Sequence, residues 1–528
     1  MRQLWERFCR YFVDLHELGF TLDISRVRFD DDDLTACTPA LLRAMDAMEA
    51  LEAGAIANPD EHRMVGHYWL RAPDLAPSSI CSSAIRASVK SIKEFAAKVH
   101  EGHVRAKGGA FEHAVHIGIG GSALGPQLVC AALTKQSSPI HLHVLDNADP
   151  ETVGRLLQRL DNALERTLVS VVSKSGWTPT PHQVMLELRS AYSRRGIDFA
   201  RHAVATTMED SELDKLATRE AWLARFPLWD WVGGRTSVTS AVGLLPIALI
   251  DAEIDNFLRG AAAMDRCTRD QNPRTNPAAL LAFCWYTLGR GHGDKAMVVL
   301  PYKDRLSLLP RYLQQLVMES LGKRFDRRGH LVQQGLTVYG NKGSTDQHAY
   351  VQQLRDGRGD AFVTFVRVHD DGWGTAPEIE AEPTLGDHLF GNLEGTRDAL
   401  EENGRESITI TMRKLDAASL GALIALFERA VGFYAELIDV NAYHQPGVAK
   451  TAASASLELQ RVIVEYLHTQ REARSAEEIA EAIGHATKVE AVFRLLEHLS
   501  FDPRRLVTMV AGSTPDLARF SASLSDRG

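Results

Sequence analysis

With 528 residues, 45% hydrophobic and 24% charged, the chain has the composition of an ordinary soluble protein, long enough for two to four domains. A formal net charge of -9 excludes a general attraction to nucleic acid or anionic lipid, so an anionic substrate has to be held by local cations and backbone N–H groups. The six cysteines (Cys9, Cys37, Cys81, Cys130, Cys267 and Cys284) lie far apart with no C-x-x-C pair, which argues against a disulfide framework or a zinc site and suits reduced thiols in a cytoplasm.

The first stretch, MRQLWERFCRYFVDLHELGF, carries charges every few residues and lacks the apolar core of a signal peptide. Leu4, Trp5, Phe8, Phe12 and Leu15 recur at helical spacing and predict an amphipathic helix. Residues 1–110 read as a mostly helical region. From 113 onward short β-rich runs alternate with helical stretches, and strands are expected at 113–117, 140–145, 167–172 and 202–207. Right-handed crossovers would join them into a parallel sheet. A helical stretch over 237–290 leads to a second series, with strands at 295–302, 336–340, 361–368 and 406–412 and a helix over 307–325. The tail from 441 is again helical. The expected fold class is α/β, with doubly wound domains over 111–270 and 271–440 between helical extensions at 1–110 and 441–528. The longest nearly uncharged apolar stretch, 238–250, falls short of the roughly 20 residues that span a bilayer. A soluble, cytoplasmic chain without membrane or nucleic-acid partners is expected.

Two turns at strand ends draw attention. In HIGIGGSALG (116–125), Gly118, Gly120 and Ala123 have the G-x-G-x-x-G/A spacing of a dinucleotide loop, and Asp146 ends the next strand near where an acid would grip a ribose. SVVSKSGWTPTP (170–181) then crowds Ser173, Lys174, Ser175 and Thr178 where a strand should meet a helix N-terminus. A dinucleotide fold has no need of this second hydroxyl-rich turn, whereas a phosphomonoester wants several donors from more than one loop. Either turn alone reads equally well as a helix cap. Together they favour a phosphosugar site in which Ser122 contributes a further hydroxyl, and Asp146 becomes a turn residue.

Four further stretches carry reactive groups. WDWVGGRTSVTSAVGL (229–244) sets Arg235 after two glycines; QQLVMESLGKRFD (314–326) sets Glu319 on an apolar helix face with Gln315 one turn earlier. YGNKGSTDQHAYVQQLRDG (339–357) presents His348 near a helix start, and NAYHQPGVAKTAA (441–453) carries Gln445 and Lys450. Singly, these are a surface arginine, a salt-bridged glutamate, a structural histidine and a solvated lysine. Lys450 early in a helix opposes the dipole, which an anion nearby would offset.

In order and approximate spacing, GIGGSALG, SKSGWTPT, WVGGR, MESLGK, GSTDQHAY and QPGV…K resemble the glucose-6-phosphate isomerase (phosphoglucose isomerase) family, in its shorter bacterial and cyanobacterial form. The resemblance spans residues 113 to 450. It implies two sugar-isomerase (SIS) α-β-α sandwich domains, a homodimer with shared active sites, no cofactor and no metal. It also implies the interconversion of glucose 6-phosphate and fructose 6-phosphate in glycolysis and gluconeogenesis. By the same resemblance Gly121 and Ser122 lie near sugar and phosphate, and Ser173, Lys174, Ser175 and Thr178 form the phosphate loop. Arg235 stands beside the enediolate, Glu319 is the base and Gln315 a neighbouring ligand. His348, contributed by the second subunit, opens the ring, and Gln445 and Lys450 are the C-terminal site pair. Two differences stand out: Gly176, Trp177 and Pro179 replace part of a threonine-rich SKTFTT, and Gln445 and Lys450 are about two residues closer than is usual in the family.

The chemistry suits these residues. A carboxylate can move a proton between C2 and C1 if partial burial lifts its pKa toward the working pH, and an arginine beside the forming enediolate supplies fixed charge. Three rivals remain: a bifunctional phosphoglucose/phosphomannose isomerase, a non-catalytic SIS-domain sensor, and a DNA-binding tail at 474–499, where Ser475-x-x-Glu478 reads as a capping box. The acidic run there favours a helical add-on over DNA binding.

Overall fold

The computed structural model describes residues 2–370, 383–447, 454–470 and 472–522. Two central sheets organise the first of two units, Met1–His444. In chain order the strands are β1 (Phe12–Leu15), β2 (Phe20–Arg26), β3 (His113–Ile117), β4 (His141–Leu145), β5 (Thr167–Val172), β6 (Ala203–Thr207), β7 (Ala224–Pro227) and β8 (Ala296–Pro301). They continue as β9 (Lys323–Phe325), β10 (Leu331–Gln334), β11 (Val338–Tyr339), β12 (Ala361–Val368) and β13 (Ser407–Met412).

The first sheet runs β4-β3-β5-β6-β7, parallel throughout. Strand β5, TLVSVV, is buried at every position, the continuous apolar pattern of a strand covered on both faces. The chain leaves β3 toward β4 on one side and returns to β5 on the other. The strand order therefore reverses between β3 and β5, and the turns after these two strands flank the kind of crevice in which open α/β sheets bind ligands. Those turns are GIGGS and SKSGWT.

The second sheet runs β1-β2-β13-β12-β8-β11, parallel from β13 to β11. Its far edge corrects the reading of the N-terminus as helical. The helix Arg2–Tyr11 stops before Phe12, and Phe12 and Leu15 lie in a β1–β2 hairpin that pairs antiparallel with β13. Gly19 turns the hairpin with a φ of +57°. Phe20, Leu22 and Ile24 are thereby fully buried, an apolar gain that a longer surface helix would not offer. The helix expected over 307–325 forms but is shorter and wider: it runs from 309 to 321, an α-helical turn Leu309–Leu313 passes into a π-helical segment Gln314–Glu319, and Lys323 already belongs to β9.

One helix, Ala417–Leu437, is long and apolar enough to cross a membrane by length and composition, yet it is 94% buried inside the molecule. A helix apolar on all sides belongs in a core. Its two central charges, Glu428 and Arg429, are neutralised there. Arg71 grips Asp265 in two hydrogen bonds of 2.5 and 2.9 Å and also bonds Glu428, while Arg429 bonds Glu52. Both guanidinium groups lie over the Tyr68 ring, at 4.9 and 4.0 Å. Burial pushes the Glu428 carboxyl up to about 7 even beside Arg71.

The second unit, Gln445–Gly528, contains helices Ser454–Thr469, Ala476–Ala482 and Val489–Ser500, around a core that includes Ile463, Ile479, Leu496 and Phe520. The Ser475–Glu478 capping box forms: Glu478 N–H donates to Ser475 Oγ at 3.1 Å and Ser475 N–H to Glu478 Oε2 at 2.7 Å. The unit is not wholly helical, because β14 (Val507–Val510) and β15 (Arg519–Ala522) form an antiparallel hairpin.

Arg71→Met leaves Asp265 and Glu428 as buried charges without their main partner. We expect it to lower unfolding stability by about 3–5 kcal/mol, measured as a fall in the urea midpoint. A loss below about 1 kcal/mol would mean that the network is dispensable.

Candidate active site

The first turn is shaped by close approach. Helix Gly121–Leu133 starts directly after Gly120, and a Cβ on Gly121 would stand 2.0 Å from the Gly234 carbonyl oxygen and 2.9 Å from Arg235 N. Glycine at 121 is thus what lets the helix N-terminus lie against the backbone that carries Arg235. A Cβ on Gly120 would stand 3.0 Å from Gln315 Nε2, so the same turn also abuts the π-helical segment. Ser122 is half-buried at the head of the helix. Beneath it the buried His116 Nε2 lies 2.7 Å from the Ser122 carbonyl; burial pulls this imidazole down to about 4, so it is neutral and donates from Nε2. His116 is the first residue of the quoted loop, and its place next to a glycine turn was the available signal.

The second turn is tied by its own side chains. Ser173 is buried, and its Oγ donates to Thr178 Oγ1 at 3.1 Å and accepts from Thr178 N–H at 3.4 Å. Ser175 Oγ accepts from Trp177 N–H at 3.3 Å. Gly176 has a φ of +77°, and a Cβ there would stand 2.5 Å from Leu213 N, which accounts for the glycine in this chain's version of the loop. Lys174 does not extend freely: its Nζ donates to the carbonyls of Asp230 and Val232 at 2.8 and 2.9 Å. Burial, with Arg63 adding repulsion, holds its pKa down to about 8. Lys174 thereby fastens the second turn to the segment that leads into Gly233, Gly234 and Arg235.

Arg235 is the second residue of the 3-10 turns Gly234–Thr239 and is 5% exposed. Its Nη2 donates to the His444 carbonyl at 3.2 Å, and its Nε lies 3.8 Å from Glu319 Oε2. Desolvation draws the guanidinium pKa down while Glu319 and Glu61 oppose the shift. Glu319 ends the π-helical segment, a geometry found often at functional sites, and Gln315 lies one turn earlier. Arg235 Nη1 and Glu319 Oε2 are both buried without a hydrogen-bond partner among the described residues. Leaving such groups unpaired costs about 1–3 kcal/mol each, so each calls for a physical reason.

Lys323 was not singled out in the sequence, although it closes MESLGK. It is 6% exposed, and its Nζ donates to the carbonyls of Glu319 and His444 at 2.7 and 3.1 Å. A lysine one turn past an interior glutamate was the signal that could have found it. His444 Nε2 lies 3.8 Å from Asp60, and burial followed by the Lys323 charge lowers its pKa.

Elsewhere the expected residues separate. His348 is exposed at the end of the turn Asp346–His348, whose Asp346 carboxylate accepts the N–H groups of Asn341 and Lys342 at 2.9 and 3.1 Å. Gln445 is exposed and opens the second unit. Lys450 lies outside the described residues. Asp146 accepts from Gln127 and Arg311 side chains at 3.0 and 3.1 Å, occupied as a strand-end residue would be.

The sequence pattern of the family described as Phosphoglucose isomerase matches residues 23–372. The chain belongs to that family. It is 54% identical to the glucose-6-phosphate isomerase of Synechococcus sp. (strain JA-3-3Ab) over 96% of each chain. It is 52% identical to that of Geobacter sulfurreducens over 98% of this chain and 99% of the relative. A crystal structure of a glucose-6-phosphate isomerase from Chlamydia trachomatis is similar with a TM-score of 0.79 at 26% identity, over 94% of both chains. In this isomerase family member the two turns, the arginine and the glutamate come from four separate stretches that the first sheet and the π-helical segment gather.

Gly121→Ala is expected to force the helix N-terminus away from Gly234, lowering kcat/KM for fructose 6-phosphate by about tenfold or more. Turnover equal to the unsubstituted chain would show that the contact is unimportant for the site.

Proposed function

We propose that this chain interconverts glucose 6-phosphate and fructose 6-phosphate, with Glu319 as the base and Arg235 as the charge stabiliser. The observation that carries the assignment is the pair itself: a half-buried carboxylate and a buried guanidinium 3.8 Å apart, each with a buried atom left unpaired. Glu319 takes the proton from C2 of the open-chain aldose and returns it to C1, through an enediol. The carbonyl and the hydroxyl exchange places within one molecule, so the reaction is redox-neutral and calls for no cofactor. Negative charge that builds on the enediol oxygen meets Arg235, which stays charged at any relevant pH. The hydroxyls of Ser122, Ser173, Ser175 and Thr178 and the N-terminus of helix Gly121–Leu133 hold the remote phosphate, whose binding energy positions the reacting carbons. Gln315 beside Gly120 contacts the sugar.

Ring opening falls to His348, aided by Gln445 and Lys450 at the C-terminal stretch. The exposure of His348 supports its use by a second copy of the chain, in a cytoplasmic homodimer whose sites are shared. The two α/β regions at 111–270 and 271–440 are the SIS-type halves of this assembly.

A coupled assay from fructose 6-phosphate tests the chemistry. Robust turnover is expected, and Glu319→Gln should lose about three orders of magnitude or more in kcat. Near-normal turnover in that variant would remove Glu319 from its role. Subunit mixing tests the shared site. Glu319→Gln and His348→Ala chains, each inactive alone, should regain about a quarter of normal activity when unfolded and reassembled together, since half of the dimers are mixed and each mixed dimer has one intact site. No regain would place both residues in one subunit's site.

A further inference from the structure

The chemistry above makes no use of Lys323, although a buried ammonium is costly to keep out of water unless its donors are engaged. Its position is specific. Near the end of a helix the last carbonyls lack intrahelical partners. Here the Met318 carbonyl accepts the Gly322 N–H at 2.8 Å, and the next carbonyl, that of Glu319, accepts the Lys323 ammonium at 2.7 Å. The same ammonium reaches the His444 carbonyl at 3.1 Å, and that oxygen also accepts from Arg235 Nη2 at 3.2 Å. One carbonyl therefore receives both cations. Base, arginine and the 441–444 segment meet through it.

We propose that Lys323 is a positioning residue of the isomerisation, fixing the backbone of Glu319 against the His444 carbonyl that also anchors Arg235. The inference rests on the role given to Glu319 above. The charged and titratable groups that face Lys323 are Arg235, Glu319, Asp60 and His444. Desolvation and then the Arg235 charge draw the lysine down to about 7, opposed by Glu319 and Asp60, so the group is held in place against an electrostatic cost. Without the ammonium the Glu319 carbonyl is an orphan at the mouth of a wide helical turn, and the carboxylate it carries loses its fixed distance from Arg235. The phosphate turns at Ser122 and Ser173 make no hydrogen bond to Lys323. Its removal should therefore act on turnover and not on substrate capture.

Lys323→Met keeps an unbranched side chain as far as the ε position and deletes the ammonium. Kinetics on fructose 6-phosphate should show kcat lowered about 30- to 100-fold with KM within about threefold of normal, the size of effect expected from a misplaced base. Calorimetric affinity for glucitol 6-phosphate, which carries the phosphate and hydroxyls but no carbonyl, should also stay within about threefold. Lys323→Gln, which retains a shorter N–H donor, is expected between Lys323→Met and the unsubstituted chain. A kcat within about threefold of normal in Lys323→Met overturns the inference. So does a parallel collapse of kcat, KM and glucitol 6-phosphate affinity, or a failure of both variants to fold, since either marks a general scaffold role. An unsubstituted chain inactive on fructose 6-phosphate overturns the isomerase reading and this inference with it. An active chain with an unaffected Lys323→Met overturns the inference alone.

Discussion

A half-buried carboxylate and a buried guanidinium held 3.8 Å apart, short of a hydrogen bond, are the constraint around which the first unit is arranged. Left to relax, the two charges would close to a tight pair and satisfy one another. The chain prevents this by giving Arg235 another acceptor, the His444 carbonyl, and by seating Glu319 at the end of a π-helical turn that Lys323 pins from behind. The contrast with the core network is instructive. There Arg71 and Asp265 meet in a bidentate pair at 2.5 and 2.9 Å, because stability is all that the contact has to provide. In the Arg235–Glu319 pair, partial satisfaction leaves two polar atoms unpaired, which on the proposed reading are the ones that meet the substrate.

The parallel sheet supplies the rest of the geometry. Strand order reverses between β3 and β5, so the turns after both strands open on the same crevice. Gly121 then brings the first of these turns against Gly234, and Lys174 straps the second to Asp230 and Val232 just upstream. Both turns are thereby indexed to the Arg235 loop, not merely to the sheet. On the proposed reading, displacing that loop would move phosphate donors and charge stabiliser together.

Much of this could be read in the sequence, and the reason varies by element. Strands 113–117, 167–172 and 361–368 were legible to the residue because a strand covered on both faces is a short, mostly apolar run rich in β-branched residues. Gly121, Ser122 and Arg235 drew attention only as members of an ordered set of motifs, since alone each turn reads as a helix cap and Arg235 as a surface arginine. The N-terminal hairpin was not legible. Phe8, Phe12 and Leu15 fit a helical period, and the winning factor was β13, an edge some 400 residues away that the hairpin could cover. The C-terminal hairpin at Val507–Val510 and Arg519–Ala522 was missed because its strands are short and each buries only one residue, too little for a pattern to show. Nor could period analysis distinguish an α from a π turn at Gln314–Glu319, where the difference lies in backbone bonding alone.

The cations make the same point about what sequence conceals. Lys174 and Lys323 both stand in motifs that suggest an anion, and both spend their donors on backbone carbonyls, those of residues 230 and 232 and of residues 319 and 444. Burial draws their pKa values to about 8 and about 7, the mark of ammonium groups placed for their hydrogen bonds more than for their field. On the proposed reading, hydroxyls and helix N–H groups then carry the phosphate, and Arg235 alone of these three cations has a buried donor still unpaired toward the reacting end of the sugar. Such a division suits a reaction in which the phosphate's charge is constant and the enediolate's is transient. A fixed guanidinium beside the base favours the transient charge, while neutral donors hold the permanent one without competing for it.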